Sequence, residues 1–526
     1  MLALAGLFLA LIAALRSPRI AALPRAALAL LLAGMTVDVG IFVTLNTRLY
    51  AGLLFTYGRE PSAIVHYLSE SLSGPTSAIG VIIGLLALFS LPLWLPLPRG
   101  RRLSLLLVCC SASLAAASFL PAHGGDISRW KRVSLLQLNT PNPERVRYQK
   151  SPSYSPPPAS IRHLVGPADH RDVILLLVES WSSYQSAAFD GVNDWTPALD
   201  TIARRHTRFV RFHAGGFDTN DGLIHTLGGA CLWMPYDAQP KLSVSAGRWG
   251  SVLTLPRVLQ KAGYHTAFLT SGPLQFARKD LWLSAIGFEH IEDGTVAFYD
   301  GWPRFTFGAP ADEALYRRSL EWLDEQPARP FFLTLETISS HSPGMDPETG
   351  EHGTRAAFRY TDKWAAWFYE ELLRRGFFEH GILIITSDHR AMLAASPAEK
   401  RKMGPLFPAR IPFVLVDTLR PAGEIIAENY QQADLLPSFQ HRLGQALDLD
   451  ERSASIFEPS PRRGSLVVHR RGRERAWIDI LTQNGGHGVI RVDGDRSRFS
   501  SSQDLTPEDQ NRILGLVASE RLNNHP

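Results

Sequence analysis

Cysteine is nearly absent from this chain, with three in 526 residues. Cys109 and Cys110 are neighbours inside an apolar run, which leaves Cys231 alone in the polar remainder, so no disulfide framework holds the fold. The scarcity does not exclude an oxidising compartment, because such a compartment permits bridges without requiring them. Charge of one sign is lacking too. Lys and Arg number 54 against 50 Asp and Glu, and the arginines are spread out, so the composition carries no nucleic-acid footprint and no nucleic-acid partner is expected. The length exceeds one ordinary core and implies a membrane part plus a soluble domain.

What the chain does have, at its start, is apolar runs. Residues 2–15, 26–45, 78–97 and 103–120 are apolar stretches, most near the roughly 20 residues that cross a bilayer. The first is short and reads as a tilted or interfacial helix, or as a span whose true start is missing; no basic segment precedes it, as a cleaved signal would need. Arg16, Arg19 and Arg25 lie between the first two stretches and Arg99, Arg101 and Arg102 between the last two, which places both connections in the cytoplasm and everything after 120 outside. Residues 1–122 are therefore expected to form a multi-pass transmembrane region of about four helices in the cell (inner) membrane. The segment holding Tyr57, His66 and Tyr67 reads equally as an amphipathic surface helix or a polar loop. Asp38, inside the second stretch, is assigned a packing role.

Residues 123–170 are polar and proline-rich, with Thr140-Pro-Asn-Pro and Tyr154-Ser-Pro-Pro-Pro, the composition of a semi-rigid spacer. A helical piece near 129–137 lies along the membrane surface or is a short buried helix. Beyond it, continuous apolar runs at 173–178, 331–335, 382–386 and 411–416 suit strands covered on both faces. Helical patterns at 196–206, 251–262, 312–325 and 361–375 alternate with them, so residues 171–450 are predicted to form an open, mostly parallel α/β sheet sandwiched by helices. Residues 451–526 read as a small C-terminal subdomain, with strand-like pieces at 465–469, 476–480 and 488–492 and a helix near 506–520. Its basic run His469-Arg-Arg-Gly-Arg reads as solvated in preference to headgroup-binding, and Asn484-Gly-Gly-His-Gly as a hairpin in preference to a ligand loop.

Ligands of such sheets sit beyond the carboxyl ends of the strands. Glu179 ends the first run, and Asp388-His389 follow the third. Singly, Glu179 reads as a cap and Asp388-His389 as a turn; together, after buried strands, they can converge on a divalent cation. Oxygen and imidazole donors suit Zn²⁺ or Mn²⁺ better than Ca²⁺, with Mg²⁺ also compatible. Thr219 sits in Gly215-Gly-Phe-Asp-Thr-Asn-Asp-Gly, where a glycine-containing loop enters a helix. A hydroxyl there is an N-cap, or it is a nucleophile beside backbone N–H groups that favour an anion. Thr226, two turns on, is the competing hydroxyl.

Val178-Glu-Ser-Trp, the Thr219 loop, Ser339-Ser-His-Ser-Pro, Ser387-Asp-His and Gln432-Ala-Asp-Leu-Leu-Pro-Ser occur in the order that resembles the lipoteichoic acid synthase-like sulfatase family of the alkaline phosphatase superfamily. The resemblance spans roughly residues 172–443. It implies an alkaline phosphatase/sulfatase-like fold and a membrane-anchored, metal-dependent transferase that passes a phosphoglycerol or phosphoethanolamine headgroup from a phospholipid donor to an extracytoplasmic glycan or lipid. It further implies Glu179, Thr219, Asp388 and His389 as the metal set, Thr219 as the nucleophile that becomes phosphorylated, and His341 as a substrate-phosphate contact and proton-transfer group. Arg278 and Lys279 compete for a substrate-binding basic position. Arg390 and Ala277 depart from the glycine or aromatic residues usual at their places, which bears on acceptor and headgroup preference.

A true sulfatase of this resemblance would carry Cys or Ser in a Cys/Ser-x-Pro-x-Arg context, and Cys231-Leu-Trp-Met-Pro does not fit. The lipid A-modifying phosphoethanolamine transferases that it resembles usually carry several disulfides, which three cysteines do not supply. Phosphoglycerol transfer to a glycan on the periplasmic or extracellular side is the expected activity. A catalytically silent, membrane-tethered scaffold would be marked by a missing ligand, and none of the four is missing.

Overall fold

A computed structural model describes residues 2–15, 18–45, 84, 90, 100–117, 162–229, 253–276, 279–325, 329–342, 344–393, 395–449, 452–458, 466–471, 477–493 and 496–523. The spacer up to 161, the segment of Tyr57 to Tyr67, Cys231, Ala277, Arg278, most of the 78–97 stretch and the 472–476 part of the basic run fall outside these residues. Contacts divide the chain into an N-terminal unit and a larger second unit.

In the N-terminal unit the first, second and fourth apolar stretches are helical, over Leu2–Ala14, Pro18–Leu45 and Arg101–Ala117. Gly6 lets the first and last of these approach closely, since a Cβ there would stand 2.2 Å from Ser111 Oγ. Ser104 Oγ donates to the Ala10 carbonyl at 2.9 Å across the same pair. Among the described residues one helical segment, Ile20–Asp38, is long and apolar enough to cross a membrane; Leu4–Ala14 and Arg102–Ser113 are shorter. The expectation of several full spans is not carried by these helices.

The second unit is built on an eight-stranded sheet: β1 (Asp172–Leu177), β2 (Thr207–Phe209), β3 (His265–Thr270), β4 (His290–Glu292), β5 (Phe331–Glu336), β6 (Gly381–Thr386), β7 (Phe413–Val416) and β8 (Ile425–Ile426). Their order is β8-β2-β7-β6-β1-β5-β3-β4. β1 pairs in parallel with β5 and β6, and β3 with β5 and β4, whereas β7 runs antiparallel to β6 and β2. The sheet is thus mixed, with one reversed strand in a mostly parallel array.

The central strands are apolar throughout because both faces are covered. Val173, Leu175 and Leu177 pack with Leu223, Leu255 and Phe439 from the helices Thr219–Gly228, Leu255–Lys261 and Leu435–Arg442. Ile174, Leu176 and Val178 pack on the other side with Leu199, Leu315 and Phe358 from Pro197–Arg205, Asp312–Glu325 and Thr354–Arg374. The period of two along each strand therefore decides which layer a residue faces.

A four-stranded antiparallel meander follows, β9 (Val467–Arg470), β10 (Trp477–Leu481), β11 (His487–Asp493) and β12 (Arg496–Gln503), with the helix Pro507–Asn523 against it through Ile513 and Val517. The Asn484-Gly-Gly-His-Gly segment forms the β10–β11 turn, where Gly485 adopts φ 86° and Thr482 N–H donates to the Gly486 carbonyl at 2.8 Å.

Candidate active site

Three chain segments meet at the carboxyl ends of β1, β5 and β6. Glu179 follows β1 and is 4% exposed; Asp388 and His389 follow β6 and are fully buried. One donor atom from each lies within 4.8 Å of the others, a spacing that a single metal ion can bridge. Ser180, in the left-handed region at φ 58°, ties the two strand ends together. Its hydroxyl donates to Glu179 Oε1 at 2.6 Å, and its N–H to Asp388 Oδ1 at 2.9 Å.

The donor set fits a divalent cation on grounds internal to the chain. Asp388 Oδ1 also accepts from the His389 N–H at 2.9 Å, while Asp388 Oδ2 is buried without a hydrogen-bond partner. His389 Nδ1 lies 2.8 Å from the Arg390 carbonyl and donates to it, so Nε2 carries the lone pair, 3.2 Å from Asp388 Oδ2 and 3.6 Å from Glu179 Oε1. Burial and then the Glu179 charge push the Asp388 carboxyl up to about 6. Burial opposes charge on His389, yet Asp388 and Glu179 outweigh it and raise its pKa. Two buried carboxylates and an imidazole this close together are the donor set that a divalent cation would satisfy.

Thr219 opens the helix Thr219–Gly228, with Asp218 as N-cap accepting from the Asp221 N–H at 3.1 Å. The hydroxyl of Thr219 is 3.3 Å from His389 Nε2, so the fourth sequence-predicted residue joins the other three. Thr226 lies inside the helix, and its buried hydroxyl is unpaired. The close approach of helix and β6 requires glycine at 222, because a Cβ there would stand 1.9 Å from the Asp388 carbonyl oxygen. Gln432 clamps the same junction: its Oε1 accepts from Gly215 N–H at 3.0 Å, and its Nε2 donates to the Ser387 and Asp388 carbonyls at 2.9 and 2.6 Å.

His341 is buried, and burial depresses its pKa to about 4. Its Nδ1 donates to the Ser342 carbonyl at 2.7 Å, leaving Nε2 as an acceptor, and its ring meets Phe307 and Phe276 edge-on at centroid distances of 4.6 and 6.4 Å. Asp312 fixes this loop by accepting from the Ile338 and Ser339 N–H groups, both at 2.9 Å, and Ser340 Oγ reaches the Glu179 carbonyl at 2.6 Å. Phe276 and Phe307 thus give the His341 ring an aromatic surround. Lys279 is buried and ion-paired with Glu336. Arg390 is engaged by internal partners: its guanidinium holds Glu399 at 2.7 and 2.9 Å, caps the Ala391 and Leu393 carbonyls, and lies 5.1 Å over Tyr184.

The basic run of the C-terminal meander is where the structure corrects the sequence reading. His469 and Arg470 are buried, not solvated. His469 Nδ1 donates to the Ala214 carbonyl at 2.8 Å, Arg470 N–H to the Gly215 carbonyl at 2.8 Å, and Arg470 Nη1 pairs with Asp221 at 3.0 Å, so β9 braces the loop that carries Thr219. A buried carboxylate in that first turn demands a cation, and the meander delivers it. Gln432, Gly222, Ser180 and Asp312 also went unassigned from sequence; the first three stand in quoted motifs, which were their signal, and Asp312 stands in none.

Fold and centre together define an alkaline phosphatase/sulfatase-like α/β protein with a carboxylate, imidazole and hydroxyl cluster at its strand ends. A sequence model of the family described as Sulfatase matches residues 171–445, and the chain belongs to that family. Among curated proteins it is similar to phosphoglycerol transferase I of Escherichia coli O127:H6, 24% identical over 386 residues, covering 67% of this chain and 48% of the relative. The chain thus spans about half the length of the curated relatives that it matches. Among solved structures, a Vibrio parahaemolyticus protein of the alkaline phosphatase superfamily superposes with TM-score 0.58 at 19% identity, covering 70% of this chain and 92% of that one. The lipoteichoic acid synthase LtaP from Listeria monocytogenes gives 0.52 at 18%, covering 69% and 94%. The family expected from the motifs is the family found, and these neighbours share its fold.

Proposed function

We propose that this chain is a membrane-anchored, metal-dependent transferase that moves a phosphoglycerol headgroup from a phospholipid to an extracytoplasmic glycan through a phosphothreonine on Thr219. One observation carries the reading: the Thr219 hydroxyl, at a helix start, lies 3.3 Å from the lone-pair nitrogen of His389 inside a three-residue ligand cluster. The printed name of the curated relative, phosphoglycerol transferase I, supports the headgroup.

Glu179, Asp388, His389 and Thr219 would hold one divalent ion, Mn²⁺ or Zn²⁺, which when bound lowers the hydroxyl's pKa and balances charge on the phosphoryl oxygens. The Thr219 oxygen attacks phosphorus in line and gives up its proton; the P–O bond to diacylglycerol breaks, and diacylglycerol leaves with that proton. His341 Nε2, an acceptor in a neutral ring, takes the proton of the acceptor hydroxyl, whose oxygen displaces Thr219 from phosphorus in the second step, and the proton returns to the departing Thr219 oxygen. Arg278 or Lys279 neutralises the phosphate. The apolar segment 20–38 supports a membrane anchor, and an anchor raises the local concentration of a lipid donor.

Intact mass of wild type and Thr219→Ala after incubation with Mn²⁺ or Zn²⁺ and either phosphatidylglycerol or phosphatidylethanolamine tests this. A Thr219-dependent adduct of phosphoglycerol mass is expected. An adduct of phosphoethanolamine mass would reassign the donor, and no adduct and no diacylglycerol would sink the transferase.

A further inference from the structure

Arginines gather where β2 leaves the main sheet. Phe209, Phe212 and Ile411 pack in the layer of the Thr219 helix, and alternation sends their chain neighbours Arg208, Arg211 and Arg410 to the opposite side. Arg410 stands opposite His213 in the small sheet of Phe212–His213 and Arg410–Ile411, and its Nη2 donates at 2.6 Å to the carbonyl of Val210, the residue before Arg211. β2 and β6 both run antiparallel to β7, so this end of β2 lies on the same edge of the sheet as Asp388, two strand spacings or about 10 Å from β6.

The group is short of negative charge. Arg208 and Arg410 are half-buried, and in each the guanidinium Nε is buried with no hydrogen-bond partner. The acids on neighbouring elements are engaged elsewhere, Asp200 with Arg204 at 3.8 Å and Glu424 with Arg420 at 3.0 Å. Among the described residues no carboxylate forms an ion pair with Arg208, Arg211 or Arg410. Burial and then the Arg211 charge pull the Arg410 guanidinium down to about 10, and burial and then the Arg204 charge lower Arg208; the exposed Asp190 opposes both shifts without overcoming them. A guanidinium does not escape such a position by losing its proton, so an anion from outside the chain is what satisfies it. Three arginines against Asp190 leave two positive charges, the complement of a phosphate dianion, and planar N–H forks suit tetrahedral oxyanions.

We infer that Arg208, Arg211 and Arg410 form a binding site for a dianionic phosphate group, a phosphomonoester or inorganic phosphate, separate from the Thr219 centre and on the other side of the sheet from its helix.

The test is calorimetry of the full chain in detergent, with chelator present throughout, titrated with inorganic phosphate. One phosphate per chain is expected, weakened at least about tenfold by Arg208→Met and by Arg410→Met, since each removes a charge-assisted hydrogen bond. Arg211 is exposed, so Arg211→Met keeps the fold and should weaken phosphate about two- to fivefold. Arg278→Ala, in the basic position expected to serve the Thr219 centre, should bind as wild type does. No binding by wild type, unchanged affinity in a folded Arg208→Met or Arg410→Met, or loss of binding in Arg278→Ala overturns the inference. Should neither buried-site variant fold, Arg211→Met decides, and unchanged affinity there overturns it. Repeating the titration with dioctanoyl phosphatidic acid names the source of the phosphate: binding over tenfold tighter than inorganic phosphate assigns a lipid headgroup, and binding no tighter assigns a free phosphate.

Discussion

Replacing Gln432 by Leu should disable the centre without touching any of its four members. The side chain is fully buried and makes three hydrogen bonds, one accepted from Gly215 and two donated to the carbonyls of Ser387 and Asp388. Leucine keeps most of the volume and leaves three backbone groups unpaired. Each such group costs about 1–3 kcal/mol, so even the low end totals about 3 kcal/mol. With an unfolding entropy of roughly 2.1 cal/mol/K per residue over the ~275 residues of the family region, that is a fall of about 5 °C in Tm. The effect on the centre should exceed the effect on stability, because Gln432 fixes both the Thr219 loop and the Asp388 carbonyl. Gln432→Glu separates the contributions: it can still accept from Gly215 but sets a carboxylate against two carbonyls. Thermal unfolding with and without saturating Mn²⁺ is the assay. Binding at a hundredfold excess over Kd stabilises wild type by about 2.7 kcal/mol, and that increment should shrink in both variants. A Tm within 1 °C of wild type together with a full metal increment would refute the reasoning.

Gly222→Ala drives a Cβ to 1.9 Å from the Asp388 carbonyl oxygen, so helix and strand must part by more than 1 Å, and transfer should fall by roughly a hundredfold while the fold survives; headgroup-release kinetics would show it, and a loss under about fivefold would count against the packing argument. Arg470→Met leaves Asp221 charged and buried and should cost about 3–5 kcal/mol, whereas Lys363→Ala, which breaks an exposed pair with Glu348, should cost under about 1 kcal/mol in the same denaturation series. His341 has a folded pKa of about 4, below its unfolded 6.5, so the unfolded state binds the extra proton and stability is lost as pH falls through that window. His341→Gln lacks this term. The stability difference between it and wild type should therefore shift by about 2 kcal/mol between pH 7 and pH 5, and a pH-independent gap would show that the ring is not held neutral.

Much of the scaffold was legible because buried parallel strands must be apolar on both faces. The runs at 173–178, 331–335 and 382–386 match β1, β5 and β6 to within a residue at each end, and the helix 312–325 is matched in full. The strand ends then point to Glu179, Asp388 and His389, and the structure brings all three to within one ion's reach of each other. The run at 411–416 hid a break: Arg410–Ile411 pairs with Phe212–His213 in a small separate sheet, and Phe413–Val416 is the reversed strand β7, a direction that no local pattern encodes. β2, β4 and β8 were missed because strands of two or three residues carry too little periodicity to register, and the six-residue β3 because His265, Thr266 and Thr270 leave it only three consecutive apolar residues.

The misreading of His469 and Arg470 has a different cause. A charged run looks solvated when its partners lie far away in sequence, and Asp221 is 249 residues from Arg470. The sequence around Thr219 did carry half of the message. Asp218, Asn220 and Asp221 crowd a helix start beside two glycines, more acid than one N-cap needs. Asp218 caps; Asp221, 3% exposed, needs a cation from elsewhere, and β9 is the element that supplies one. An acidic residue in excess at the Thr219 loop and a basic residue in a strand-like segment are therefore one feature seen from two ends. The same logic joins Glu336 to Lys279: in both pairs a residue remote in sequence brings the positive charge that a buried carboxylate requires.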